Sequence, residues 1–286
     1  MSTWPEIGIH QGIPAEEYHQ GPGVSQTSVK RAMKYSLYHA RDALLNPLEG
    51  EKADHFATGT ATHTVLLEPH LFHDQVIEGL PIDRRSNANK ARHAEFAAAN
   101  EGRIILTPKE YAKPKGMAAG VMRNKRAAAL LKAPGLTELS FVWKDEETGL
   151  LCRGRADRYC RFEDTNIVAD IKTHAGRCDV ESIEKAIGKC GYDVQAAFYL
   201  DGLNVLEPAE RRFIYIFCEK TPPYSCRLFE ASDDMIQHGR AKYRKGLKLW
   251  AEADRTGVWP EWGDEITKAE LRRFDLAPEE DFYGSD

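Results

Sequence analysis

No run in this 286-residue chain approaches the roughly 18 consecutive apolar residues that a membrane-spanning helix needs, so no membrane partner is expected. The opening residues, MSTWPEIGIHQGIP, lack a basic stretch followed by an apolar core, and a cytoplasmic location is the expectation. The six cysteines stand singly, with no CxxC pair, which argues against a zinc ribbon or a conventional iron–sulfur framework. Internal repeats and low-complexity segments are missing too. So is a positive balance: a formal net charge of −5 does not advertise nucleic acid.

The charge distribution says more than its sum. Residues 81 to 132 hold twelve Lys/Arg against four Asp/Glu, a local basic surface inside an acidic protein. That fits the lining of a DNA channel, although a solvated, charge-rich helix pair would look the same. A 42% hydrophobic fraction at this length suffices for one generous domain.

The stretch that organises the rest is LLCRGRADRYCRFEDTNIVADIKT, residues 150 to 173. Two apolar, strand-like runs each end in an acid: Asp157, and Asp170 two residues before Lys172. Side chains i and i+2 of a strand share a face, so Asp170 and Lys172 project together. A neighbouring strand can bring Asp157 alongside. Two carboxylates and an ammonium at a sheet edge can hold an oxygen-loving cation such as Mg²⁺ and steer a water beside it, the arrangement of a phosphodiester-cleaving site. Taken alone, Asp-x-Lys is a common solvated pair, and the chemistry needs support from elsewhere.

In chain order, residues 1 to 24 read as an irregular, Pro/Gly-rich segment. Ser25 or Ser28 caps a helix running towards Leu44-Leu45, and residues 59 to 69 form a second helix closed by Pro69. His63 stands on that helix as a possible metal ligand or phosphate contact. Glu68 follows five residues later, about 140° around the helix, and joins the same ligand set only if the helix unwinds before Pro69. Arg84 and Arg85 precede a helix start near Ser86 or Asn87, and with its free amides would cradle a phosphate; Lys90 follows on that helix. A long basic helix is expected over 108 to 132. A hairpin turns at residues 145 to 149, and 167 to 171 reads as a buried central strand. Residues 179 to 204 are helical, with Gln195 and Tyr199 on one face. A strand pair around Pro222-Pro223 and an amphipathic helix over 233 to 254 close the fold, before an acidic tail from 256. The order predicts an α/β (α+β) domain over 25 to 255: a helical, basic lobe to 135, then a catalytic core with a central mixed β-sheet flanked by helices.

Together, His63 in GTATH, Asp157 in GRAD, Asp170-Ile171-Lys172 and Gln195-x-x-x-Tyr199 resemble the RecB-like branch of the PD-(D/E)xK nuclease superfamily. The context is closer to RecE-type phage exonucleases (exodeoxyribonuclease VIII-like). It matches at Gly59 to Pro69, Arg84 to Lys90, Glu147 to Arg153, Asp170 to Thr173 and Asp193 to Gly202, so that the resemblance spans about residues 25 to 260. Three departures are visible: no Pro precedes Asp157, Asp170 stands where many relatives have Glu, and Asp193-Val194 replaces His-Val.

The resemblance implies that Asp157, Asp170, the Ile171 backbone carbonyl and His63 hold Mg²⁺, with Mn²⁺ as a substitute. It makes Lys172 the group that orients and helps deprotonate the attacking water, and puts Gln195 and Tyr199 at the site from the following helix. Arg84 and Arg85 are expected at the 5′ phosphate, with Lys90, Arg153 and Arg155 as further DNA contacts. It also implies a 5′→3′ exonuclease on double-stranded DNA ends that leaves 3′ overhangs for a RecT-like single-strand annealing protein, and a toroidal homotetramer. Two other readings stand beside it. One is a RecB-like nuclease on single-stranded DNA, whose iron–sulfur form the scattered cysteines count against. The other is an inactive DNA-binding or scaffold relative, against which the retention of Asp157, Asp170 and Lys172 counts.

Overall fold

The computed structural model describes residues 4, 6–46, 54–81, 86–263 and 265–269, with the side chains of 54–56 left aside. The amino-terminal half supplies β1 (Gly8–His10), α1 (Ala15–Gln20), β2 (Val24–Ser25), α2 (Gln26–Lys34), α3 (Leu37–Leu45), α4 (Asp54–Leu67), α5 (Phe72–Gln75), β3 (Val76–Glu78), α6 (Asn87–Ala99), β4 (Ile104–Leu106), α7 (Pro108–Arg123) and α8 (Lys125–Lys132). After it come β5 (Gly135–Lys144), β6 (Leu151–Phe162), β7 (Thr165–His174), α9 (Val180–Cys190), α10 (Tyr192–Leu206), β8 (Arg211–Glu219), β9 (Cys226–Glu230) and α11 (Asp233–Thr256).

The central sheet runs β1-β5-β6-β7-β8-β9, with β2 paired to β6 off this path. It is mostly antiparallel; β7 and β8 are parallel, joined by the α9–α10 crossover, and β2 runs parallel to β6. Two cores cover its faces. On one, Phe141, Trp143, Val168, Phe213, Tyr215 and Phe217 meet Phe198 and Leu203 of α10, Val29 of α2, and Tyr243 and Trp250 of α11. On the other, Ile167, Ala169, Ile171 and Ile216 meet Met117 and Val121 of α7 and Leu130 of α8. A sheet buried on both sides explains why β7 is apolar at consecutive positions, Ile167, Val168 and Ala169, rather than at alternate ones.

Local chemistry breaks the helices more often than apolar periodicity suggests. The helix expected from 25 to 45 is two, because Ser36 caps a new start at Leu37 by accepting from the His39 N–H. Asn124 does the same between α7 and α8, accepting from Arg126 and Ala127. Gly191, left-handed at φ 63°, ψ 43°, ends α9 and begins α10.

Within the segment expected to be irregular, residues 1 to 24, the described residues from 6 on are ordered into strands and a helix. β1 pairs with β5, α1 follows, and β2 pairs with β6. Trp259 and Pro260 also return to the body: Tyr38 N donates to the Pro260 carbonyl, and the Arg41 guanidinium lies 4.8 Å from the Trp259 ring centroid. Among the described residues no helix is long and apolar enough to cross a membrane.

Candidate metal-dependent active site

The sheet splits at the site. Strand β6 pairs with β7 through Arg158↔Ala169 to Phe162↔Thr165, then with β2 at Cys152 and Arg153. Between these partners lies the stretch ending in Asp157. The β6–β7 register extended by one pair sets Asp157 across from Asp170, and the Asp157 carboxylate itself accepts the Ile171 N–H at 2.7 Å. A side chain thus takes a backbone donor that the ladder no longer satisfies.

The alternation of faces also slips here. Cys152 and Ala156 lie in one core and Cys160 in the other, though an unbroken strand would point all three the same way. Opposite, Glu138 of β5 is held at φ 50°, a left-handed conformation uncommon for a residue with a Cβ. The β5–β6 register sets Glu138 across from Asp157, between Thr137↔Arg158 and Leu139↔Ala156. Sequence reasoning missed Glu138. It carries no motif, and nothing local marks the backbone slip that aims it at the site.

From above, α4 brings His63, whose Nδ1 lies 3.3 Å from Asp157 Oδ2. One donor atom each from His63, Glu138 and Asp157 falls within 4.8 Å of the others. Glu68 meets the condition set for it: α4 ends at Leu67, Glu68 turns to φ −137°, ψ 59°, and its side chain lines the same cleft. Below, Lys172 Nζ lies 2.6 Å from Asp170 Oδ2, and Gln195 of α10 donates through Nε2 to Asp170 Oδ1. Tyr199, one turn further, is buried against Phe141 and Phe213 and sits at the floor of the cleft.

Electrostatics favour a cation. Burial, then the charge of Asp170, pushes the Asp157 carboxyl well above the usual carboxylate range. Burial, then Asp157, pushes Glu138 up to about 7. Burial lowers His63 and keeps its imidazole neutral, the form that ligates metals. Carboxylates crowded against one another out of water need a counter-charge, and an oxygen-rich set with one imidazole suits Mg²⁺ or Mn²⁺. The donor atoms brought together, from His63, Glu138 and Asp157, fit a divalent cation, with Asp170 close by. Such a cation supplies Lewis acidity and an acidified water.

The cleft has a volume of about 1580 Å³. Gln11 to Pro14, Tyr18 and His19 line one wall, and the start of α2 (Ser25 to Ser28, with Arg31) another. Ser25 and Ser28 form a reciprocal capping box there, so the positive end of α2 faces the cleft. Arg153 and Arg155, expected to touch DNA, are engaged inside the protein. Arg153 donates to the carbonyls of Gly23 and His19, and Arg155 to that of Ile13. Both guanidinium groups stack near the Tyr18 ring, and Arg155 Nε lies 2.7 Å from Glu138. They hold the amino-terminal wall against β6. Lys90 is exposed on α6, away from the cleft lining. Arg84 and Arg85 lie outside the described residues.

Comparisons with known proteins bear on the family and the fold. The family model described as a PDDEXK-like domain of unknown function (DUF3799) matches residues 25–270. No curated protein matches the chain. Among solved structures, a candidate exonuclease from Eubacterium rectale superposes at a TM-score of 0.63 with 13% identity, over 94% of this chain and 100% of that one, a likeness of fold. SSO0001 aligns at a TM-score of 0.31 with 17% identity, over 68% of this chain and 85% of that one, too low to carry an argument. With the split sheet, the paired aspartates and the Asp-x-Lys strand in place, the chain belongs to the PDDEXK-like DUF3799 family, on a PD-(D/E)xK nuclease fold.

Proposed function

We propose that this protein is a Mg²⁺-dependent exodeoxyribonuclease that degrades one strand of a duplex end in the 5′→3′ direction and leaves a 3′ overhang for single-strand annealing. The observation that carries the nuclease part is the convergence of His63, Asp157, Asp170, Lys172 and Gln195 on one cleft where β6 parts from β7. The polarity, the duplex substrate, a RecT-like annealing partner and a toroidal homotetramer rest on the motif resemblance alone.

In this reading the chain's own groups divide the work. Asp157 and Asp170 would present carboxylate oxygens to a divalent cation, which when bound would acidify a water next to the scissile phosphate. Lys172, held beside Asp170, would orient that water and offset negative charge growing on the phosphoryl oxygens. Gln195 ties Asp170 to α10 and fixes which oxygen faces the cleft. The water attacks phosphorus in line, the P–O3′ bond breaks, and the 3′-hydroxyl leaves with a proton. The dipole of α2, with Arg31 at its side, suits backbone phosphate along the cleft wall.

The test is a linear duplex labelled at either the 5′ or the 3′ end, beside a closed circular duplex, in Mg²⁺. Early mononucleotide release from the 5′ label with an intact circle supports the proposal. Early release from the 3′ label reverses the polarity, and nicking of the circle makes the protein an endonuclease. Light scattering tests the assembly: the tetramer has four times the 32.2 kDa chain mass.

A further inference from the structure

Tyr192 begins α10, directly after the left-handed Gly191, and its side chain lines the cleft. Two ammonium groups meet its ring: Lys172 Nζ at 4.8 Å from the centroid and Lys30 Nζ, from α2, at 5.8 Å. The ring is firmly held. Its centroid lies 5.7 Å from that of Tyr215 and 5.9 Å from that of Phe217, and the Tyr215 hydroxyl donates to the Tyr192 carbonyl at 2.6 Å. Gly191 makes room for Lys30, since a Cβ there would come within 2.8 Å of Lys30 Cδ. Lys30 is half-buried, yet among the described residues no carboxylate forms an ion pair with it. An aromatic face turned towards two lysines offsets their mutual repulsion through its quadrupole.

Among the described residues, Lys172 forms an ion pair with Asp170. A carboxylate that serves a divalent cation draws less on a lysine, so an ammonium held by Asp170 alone would lose its orientation when the cation arrives. The ring contact does not depend on Asp170. We propose that Tyr192 is a positioning residue whose π face, shared with Lys30, fixes the Lys172 ammonium for its work on the attacking water. This rests on the nuclease reading above.

Two measurements test it. The first is independent of activity: lysines are reductively methylated with ¹³C, and the Lys172 resonance is identified by its absence in Lys172→Arg. Shielding by the ring shifts that resonance upfield in the native protein, and Tyr192→Leu removes the shift. An unshifted native resonance overturns the contact even if the protein cleaves DNA. The second is kinetic. Tyr192→Leu lowers kcat by about tenfold or more, equivalent to about 1.4 kcal/mol of transition-state stabilisation, with KM for DNA within about twofold. Tyr192→Phe keeps kcat within about threefold of the native value, while fluorinated phenylalanines of the same shape lower it progressively as the ring loses electron density. A flat fluorination series overturns the positioning role, as does a Phe variant as slow as Leu. A native protein that cleaves no nucleic acid sinks the nuclease reading instead, and the resonance then decides the contact by itself.

Discussion

A carboxyl buried as deeply as that of Asp157, facing a second carboxylate across the split strands, holds its proton more tightly than one in water. Ionising it costs stability, which a bound divalent cation would offset. Asp157→Asn should therefore abolish Mg²⁺-dependent cleavage while leaving Tm in EDTA equal or a few degrees higher, read by thermal unfolding beside an activity assay. Glu138 adds a pH signature. Its carboxyl is raised from 4.5 to about 7, so between those values the folded chain binds more protons than the unfolded one. Glu138's contribution to stability is greatest at low pH and falls as pH rises through that window. Denaturant unfolding in EDTA from pH 4.5 to 7.5 should show this slope, and Glu138→Gln should reduce it, leaving the part that Asp157 contributes. Cation affinity runs the other way, tightening as pH rises, because the ligands must lose protons. Lys172→Ala should lower kcat by about a hundredfold through loss of the positioned cation, with DNA affinity nearly unchanged. An equal loss of affinity would contradict its role on the water. Asp170 and Lys172 were legible in the sequence because an i, i+2 spacing needs only a strand to become a site. Glu138 was not, because its place depends on a left-handed backbone at one residue of another strand.

At the scale of elements, the amino-terminal segment differs most from expectation. A stretch rich in Pro and Gly reads as irregular, but the partners that order it are distant in sequence: Arg153 and Arg155 reach carbonyls 130 to 142 residues earlier. Such pairings leave no local signal. Deleting residues 1 to 23 should leave both guanidinium groups without their carbonyls and remove the cleft wall. The expected result is a lower Tm and lost cleavage, and a truncated protein with native Tm and activity would contradict it. Helix positions were legible and helix breaks were not. Ser36, Asn124 and Gly191 are ordinary stop-and-start residues, but the apolar period continues across each break and hides it. Gly191→Ala puts a Cβ at φ 63° against the Lys30 stem and should cost about 1–2 kcal/mol of stability.

For the whole molecule, a net charge of −5 and a nuclease cleft are compatible because the charges are sorted. The acids cluster at the site, while Lys30, Arg31 and Lys172 gather along the cleft and at its edge. The fold class followed from the order of strands and helices together with the motifs. The split of β6 between β7 and β2 depends on long-range pairing that no spacing predicts.

The central claim is that the clustered acids make a divalent-cation nuclease. Its most direct test is acid-soluble nucleotide release from linear duplex DNA by the native protein and by Asp170→Asn, each in Mg²⁺ and in EDTA. Release by the native protein in Mg²⁺ alone is the predicted result. Release by Asp170→Asn, or by the native protein in EDTA, would contradict it.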